Sequence, residues 1–130
     1  MRTLLPPGWP RPKGYANGMS ARGRLVVTAG VVGWNAEERF ESDELVGQFR
    51  QALANIRTIL AEDGAGPDHV VRMTCYVTDI AAYRASLREI GAAWRELMGL
   101  NFPAMAVIGV SGLVDPAALV EIEATAVVPE

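Results

Sequence analysis

Two stretches of the chain carry apolar residues at helical spacing. In the first, apolar positions recur every three or four residues, which places them on one face of a helix. Ser42 is the expected cap of this helix, with Asp43 and Glu44 in its first turn, where the helix dipole favours acidic side chains. We expect the helix to stop near Gly64. Its apolar face consists of Leu45, Phe49, Leu53, Ile56 and Leu60.

The second helical stretch follows Asp79, which can cap it, and ends at Gly99, a suitable left-handed C-terminal residue. Its apolar face consists of Tyr83, Leu87, Ile90, Trp94 and Leu97. Trp94 is therefore expected in the core. Since each helix has a single apolar stripe, both should lie on one face of a sheet.

Strand patterns occupy most of the remaining chain. Residues 70–78 and 119–128 alternate between apolar and polar positions, and residues 24–29 and 104–110 are rich in strand-forming residues. We expect residues 15–19 to form a short strand and a hairpin with 24–29, and 33–41 to be a polar loop with room for one more short strand. Residues 1–13 are proline-rich and should be an irregular lead-in. The order predicts one α+β domain over residues 1–130, with one mixed sheet and two helices packed on one face.

The sheet face away from the helices should have a mixed character. Its expected polar members are Arg72, Thr74, Tyr76, Glu121, Glu123 and Thr125, and its expected apolar members are Val26, Met105, Val107 and Val127. Solvation of an antiparallel sheet is one explanation. A subunit interface suits the apolar members better.

Composition narrows the classes of partner. Acidic residues outnumber basic ones by 15 to 12, so no overall positive charge favours nucleic acid. Cys75 is the single cysteine, and no Cys/His cluster has metal-ligand spacing. We therefore expect no metal, no cofactor and a reducing, cytoplasmic location. No apolar run has signal-peptide or membrane-span length, so neither export nor membrane insertion is expected.

Several short motifs, in their order and spacing, resemble the RidA (reactive intermediate deaminase, or YjgF) family. They are Gly14-Tyr15, the segments 27–30, 51–56, 70–74 and 77–79, Phe102-Pro-Ala104, and Val120-Glu-Ile-Glu-Ala124. The resemblance covers residues 14 to 128. It implies a chorismate-mutase-like fold and a homotrimer that binds a small-molecule metabolite in the clefts between its subunits.

The resemblance also implies a site. Glu121 matches the glutamate thought to position the attacking water, Tyr15 the tyrosine that closes the cleft, and Gly30 the glycine of the pocket wall. Val31, Trp34 and Val107 are further expected substrate-binding residues. Two alternatives stay open for side chains near this site: Tyr15 either covers a ligand or pins the N-terminal strand, and Trp34 either stacks on a ligand or seals an interface.

The chain departs from the family pattern at the position that clamps a substrate carboxylate. Met105 stands where active members have an arginine, and Leu87 where an asparagine is frequent. Ala29 and Val31 replace the usual serine and glutamine. A thioether cannot donate the two parallel hydrogen bonds of a guanidinium. We therefore expect negligible activity on the small amino-acid-derived imines of the family, and Met105 is either pocket wall or interface packing.

Three other side chains could take part in chemistry but also have structural interpretations. Cys75 shares a face with apolar neighbours, which favours an inert buried thiol. His69 has no partner for catalysis nearby in sequence and is expected to be structural or solvated. Arg72 either substitutes for the missing arginine or pairs with Glu121 or Glu123.

Three functions follow. The favoured one is hydrolytic deamination of an enamine or imine that is more apolar than usual for the family. The alternative is a non-catalytic trimer that binds a small metabolite. An endoribonuclease or translation inhibitor is less well supported, because the chain is acidic and lacks a basic or aromatic stripe.

Overall fold

A five-stranded mixed sheet covered by helices, and a separate two-stranded sheet, form the fold in the computed structural model, which describes residues 1–130. The strands are β1 (Arg2–Thr3), β2 (Met19–Ser20), β3 (Arg24–Val27), β4 (Val31–Val32), β5 (Val70–Val77), β6 (Ala104–Gly109) and β7 (Val120–Val128). The helices are α1 (Leu45–Ala61), α2 (Ile80–Ala85) and α3 (Leu87–Met98), with a 3-10 turn at Pro67–His69.

β7 lies in the middle of the larger sheet. It pairs antiparallel with β5 on one side and with β3 and β4 on the other, and β6 joins β5 in parallel at the outer edge. A parallel pair needs a long crossover, and α2 and α3 supply it between β5 and β6. The α+β class and the mixed sheet predicted from the sequence are confirmed.

The core lies between the helices and one face of the sheet. The predicted stripe of α1 is confirmed, because Phe49, Leu53, Ile56 and Leu60 are fully buried. The alternation of the strands is confirmed as well: Met73, Cys75, Val77, Val120, Ile122, Ala124 and Ala126 are all buried. Trp94 is in the core, as expected. No helix is long and apolar enough to span a membrane.

The start of α1 differs from the prediction. The helix begins at Leu45 after Glu44, so Asp43 and Glu44 precede its first turn. The Ser42 hydroxyl instead accepts a hydrogen bond from the Glu44 N–H at 3.1 Å, which makes a local turn before the helix. Ser42 packs against Gly47, where any Cβ would collide with its hydroxyl.

The second predicted helix is broken in two. Asp79 caps α2 as predicted, its carboxylate accepting a hydrogen bond from the Ala82 N–H at 3.1 Å. Ser86 then leaves helical geometry, and α3 starts at Leu87. Leu87 is therefore 58% exposed and lies outside the core, contrary to its place in the predicted stripe. Gly99 ends α3 with a φ of 66°, the positive φ expected of a terminal glycine.

The predicted hairpin between residues 15–19 and 24–29 is wrong. β2 pairs with β1, which gives the lead-in a short strand, whereas β3 pairs with β7. Gly23 explains the choice of partner. Its φ of 148° and its close approach to the Val128 carbonyl, where a Cβ would collide, bring the chain against the end of β7.

Three apolar residues lie on the opposite sheet face from the one expected. Met105 is paired with Met73 and Val107 with Cys75, and residues paired across a sheet share a face. Met73 and Cys75 are buried under the helices, so Met105 and Val107 face the helices too. Val26 likewise packs against the core. Of the four apolar residues expected on the helix-free face, only Val127 lies there, opposite Leu25.

Candidate functional site

A mainly apolar cavity lies between α3 and β6. It encloses about 550 Å³, within the range of small-molecule sites, and we call it the α3 cleft. Its wall is mainly apolar, with two basic side chains and no acidic one. It is lined by Lys13, Gly14, Tyr15, Phe49, Tyr83, Leu87, Ile90, Gly91, Trp94, Arg95, Phe102, Met105 and Val107.

Four of the residues expected at the site meet in the α3 cleft. Met105 and Val107 come from β6, Leu87 from the first turn of α3, and Tyr15 from the lead-in. Met105 is thus a wall residue of a cavity within one chain. Ala16, the next residue, is buried and donates its N–H to the Pro103 carbonyl at 2.9 Å. This hydrogen bond holds the backbone at Tyr15 beside the cleft. The Tyr15 side chain is 44% exposed and is free to cover the cleft.

Several cleft residues were not singled out from the sequence as binding residues. Trp94 and Phe102 stack with ring centroids 6.3 Å apart and an angle of 11° between their planes. The Trp94 indole N–H donates to the Asn101 carbonyl at 3.1 Å, which holds the ring in place. Burial raises the pKa of Tyr83 to about 12, so its hydroxyl is a neutral donor at physiological pH. Together they give the cleft an aromatic floor and a phenolic donor.

A second, wider cavity contains the other expected residues. It encloses about 870 Å³ between the strand edge at β4, helix α1 and the loop before β7, and we call it the Glu121 groove. Gly30, Val31 and Trp34 line it together with Glu121. The Asn55 amide on α1 holds its rim by donating to the carbonyls of Val32 at 3.1 Å and Trp34 at 2.7 Å.

Gly30 and Glu121 are in direct contact. A Cβ built on Gly30 would lie 2.6 Å from the Glu121 Oε2 and 2.7 Å from its Cδ. Any residue other than glycine would therefore collide with the Glu121 carboxylate in its present position. β4 supports the arrangement, because Val32 pairs with Glu121 in the sheet. The Glu121 carboxylate forms no ion pair or side-chain hydrogen bond within the chain. It is therefore available to a water molecule or a ligand.

The Trp34 ring packs on a neighbouring aromatic side chain. Its centroid lies 5.8 Å from that of Phe40, with the planes tilted by 54°. Trp34 is half-buried in the wall of the Glu121 groove. The loop 33–41 thus forms an aromatic rim, and an exposed part of the indole is left for a ligand or for another subunit.

The helix-free face carries a separate polar group of side chains. The Tyr76 hydroxyl donates to the Glu123 carboxylate at 2.8 Å, and this hydrogen bond raises the pKa of Tyr76. Arg72 lies in a shallow hollow with Thr74, Glu123 and Thr125. It forms no ion pair with Glu121 or Glu123, and it lies on the face opposite the α3 cleft. Arg72 therefore does not take the place of the missing arginine within the chain.

Two other reactive residues have structural roles. Cys75 is fully buried, and this burial raises the pKa of its thiol to about 12, which confirms the inert thiol expected from the sequence. The His69 Nδ1 accepts a hydrogen bond from the Gly66 N–H at 3.0 Å and closes the 3-10 turn. No group of three or more His, Cys, Asp or Glu side chains is arranged to hold a metal ion.

The expected site is divided between two places in one chain. The α3 cleft adjoins β6 at one edge of the sheet, and the Glu121 groove adjoins β4 at the other side of β7. Glu121 lies on β7, two strand spacings or roughly 10 Å from β6, and shares the helix-free face with its pair Tyr76, whereas Met105 faces the helices. Glu121 and Met105 thus do not face one pocket within a single chain.

Comparisons with known proteins agree with this fold. The family model described as endoribonuclease L-PSP matches residues 10–128. A RutC family protein of Aquifex aeolicus is 32% identical over 128 residues, 98% of this chain and 99% of that protein. A RutC family protein of Haemophilus influenzae is 32% identical over 105 residues, 81% of this chain and 80% of that protein.

A solved structure matches along nearly the whole length. YyfB, a member of the conserved Rid protein family from Yersinia pestis, superimposes with a TM-score of 0.86 at 33% identity over 98% of both chains. Its agreement covers the strands and helices that build both cavities. The chain belongs to the RidA (YjgF) family, which the matching family model describes as endoribonuclease L-PSP.

Proposed function

We propose that the protein is a homotrimer that hydrolyses an apolar imine or enamine in clefts between its subunits. The observation that carries this proposal is the division of the expected site into two half-sites on opposite sides of the sheet. A neighbouring subunit that brings its Glu121 groove to the α3 cleft would unite the carboxylate with the apolar wall. Such contacts are heterologous, because two different surfaces meet at each one, and three of them close a ring of three subunits.

The helix-free face supports assembly. Leu25 is 65% exposed and Val27 is 61% exposed, and both project from β3 on this face. Ile108 on β6 is exposed on the same face as Tyr76, with which it is paired. Exposed apolar side chains on two strands of an uncovered sheet face favour burial against another subunit.

Glu121 supports hydrolysis. In this mechanism the carboxylate takes a proton from water as the water oxygen attacks the carbon of the C=N bond. Glu121 returns this proton to the nitrogen, the C–N bond breaks as the remaining hydroxyl proton is transferred, and the products are a carbonyl and ammonia, with one water consumed for each ammonia released. The uncommitted carboxylate beside Gly30 is suited to hold that water.

The oligomer is tested by light scattering on the purified protein. We expect a mass three times that of the 14.0 kDa chain. Leu25→Arg places a charge on the exposed apolar face and should dissociate the assembly, whereas Leu100→Arg, at a position that is also exposed but follows α3, should not. A monomeric mass for the unmodified protein at micromolar concentration would refute the intersubunit site.

Catalysis is tested with Glu121→Gln, which keeps the shape of the side chain and removes the base. With a freshly generated imine of an apolar amino acid, we expect release of the 2-oxo acid to fall by about 10² to 10⁴. Glu123→Gln is the matched control, two residues along the same face. Unchanged turnover in the Glu121 variant would remove this residue from the mechanism, and loss of the trimer would assign it to structure.

The alternative is a trimer that binds a metabolite without turning it over. The same Glu121→Gln experiment distinguishes the two functions. If the unmodified protein binds an apolar acid but releases no 2-oxo acid above the uncatalysed rate, binding is its function.

A further inference from the structure

We infer that the α3 cleft binds the anionic group of an apolar monocarboxylate through Arg95 and Lys13, which replace the clamp missing at Met105. This inference names the substrate class of the proposed function and rests on it in that respect. The cavity itself is formed within one chain and can be tested without turnover.

The charge of the cleft is the first argument. Lys13 and Arg95 line it and no acidic side chain does, although the whole chain carries a formal charge of -3. Neither cation forms an ion pair. By contrast, Arg24 and Arg50 are paired with Asp63 and Glu96 on the surface. A free pair of cations on an apolar cavity favours an anion there.

The position of the Arg95 side chain is the second argument. Gly91 lies one turn earlier on α3, and a Cβ built on it would sit 3.4 Å from the Arg95 Nη1. The guanidinium therefore folds back over the glycine, in the direction that helical side chains lean. Both residues line the cleft, so the absence of a side chain at Gly91 leaves the guanidinium at its wall. A guanidinium can hold a carboxylate with two hydrogen bonds.

The remaining lining defines the rest of the ligand. The stacked Trp94 and Phe102 rings form an apolar floor together with Phe49 and Ile90. Tyr15 and Tyr83 line the cleft, and neither hydroxyl has a hydrogen-bond partner in the chain. The pKa of Tyr83, raised to about 12 by burial, keeps its hydroxyl a donor. This lining fits an aromatic or branched aliphatic body with one carboxylate.

The test compares two stable ligands of equal size by calorimetric titration of the full-length protein. One is 3-phenylpropanoate, and the other is its neutral amide, 3-phenylpropanamide. For the carboxylate we expect a Kd on the order of 0.1 to 1 mM, as ligand efficiency allows for so small a molecule. The amide should bind at least about tenfold more weakly, the ratio expected when a charge-assisted hydrogen bond is lost.

Charge variants assign the effect to residues. Arg95→Gln and Lys13→Gln should each weaken binding of the carboxylate, by roughly tenfold for the arginine, and leave binding of the amide unchanged. Arg88→Gln is the matched control, because Arg88 lies on the same helix, is exposed and unpaired, and is outside the cleft. It should change neither affinity.

Four results would overturn the inference. They are equal affinity for the acid and the amide, an equal loss of both in Arg95→Gln, the same loss in Arg88→Gln, and no binding of either ligand. Failure of this inference can be distinguished from failure of the proposed function. Selective binding of the acid without hydrolysis would end the catalytic proposal alone, whereas hydrolysis with a KM that is unchanged in Arg95→Gln and Lys13→Gln would end this inference alone.

Discussion

Gln48 is a buried polar residue whose loss should loosen the wall of the Glu121 groove. Its side chain is 1% exposed and joins three segments. The amide nitrogen donates to the carbonyls of Ser42 at 3.1 Å and Ala117 at 3.0 Å, and the amide oxygen accepts from the Leu119 N–H at 2.7 Å. Gln48 thereby anchors the loop before β7, which contributes Val114, Asp115 and Pro116 to the groove.

Gln48→Met keeps the length of the side chain and removes all three hydrogen bonds. The Leu119 N–H loses its partner at a half-buried position, which costs about 1 to 3 kcal/mol. The carbonyls of Ser42 and Ala117 are nearer to solvent, and the loss of each of their hydrogen bonds costs about 0.5 to 1 kcal/mol. We therefore expect the free energy of unfolding to fall by about 2 to 5 kcal/mol, and the loop to become accessible to proteases.

Urea unfolding followed by circular dichroism measures this change. Gln51→Met, one turn along on α1, is the matched control, because Gln51 donates only to the Asn55 amide oxygen. It should lose less than about 1 kcal/mol. A Gln48 variant with the stability of the unmodified protein would show that the loop is held by its own turn, in which the Asp115 carboxylate accepts from the Ala117 N–H, and would refute the reasoning.

Two further predictions follow from the contacts of the site and the core. Gly30→Ala should displace the Glu121 carboxylate and abolish any turnover while the fold persists. Gly112→Ala is the control, because a Cβ there meets nothing within 4 Å. Equal activity of the two variants would contradict the contact between Gly30 and Glu121. Burial raises the pKa of Cys75 from 9.0 to about 12, so the folded protein keeps a proton that the unfolded chain releases, and stability should fall as the pH rises above 9. Between pH 9 and 10.5, the free energy of unfolding in urea should fall less steeply with pH for Cys75→Ala than for the unmodified protein, by up to about 1.4 kcal/mol per pH unit. Equal slopes would exclude the buried thiol as the source of the pH dependence.

Helix α1 and the central strands could be predicted because their patterns are local. The stripe of α1 and the alternation of β5 and β7 are properties of consecutive residues, and burial follows them. β6 offers no such pattern. Ala104 to Ile108 are all apolar, so alternation cannot tell one face from the other, and the register with Met73 and Cys75 decides the matter. The sequence alone therefore could not show which face of the sheet Met105 lies on.

The candidate site was predicted in part for a similar reason. The motifs of the family identified residues in both cavities, but they carry no information on which residues share one. The cations of the α3 cleft come from two segments that are distant in sequence, and the fold places both in the lining of the cavity that Met105 also lines. The one local signal for them is the spacing of Gly91 and Arg95, which places a small residue and a long cation on consecutive turns.

The contact of Ala16 with the outer edge of β6 has a consequence for aggregation. β6 ends the five-stranded sheet, and its outer neighbour is a single bridge between Ala16 and Ala104. An apolar strand with an open edge is a template for fibre growth. The segment before Ala16 contains Pro6, Pro7, Pro10 and Pro12, which have no N–H and cannot extend this bridge into a further strand. The bridge at Ala16 thus occupies the start of the open edge without continuing it, and a chain shortened to begin after residue 18 would lose the bridge and expose a strand edge that is able to recruit others.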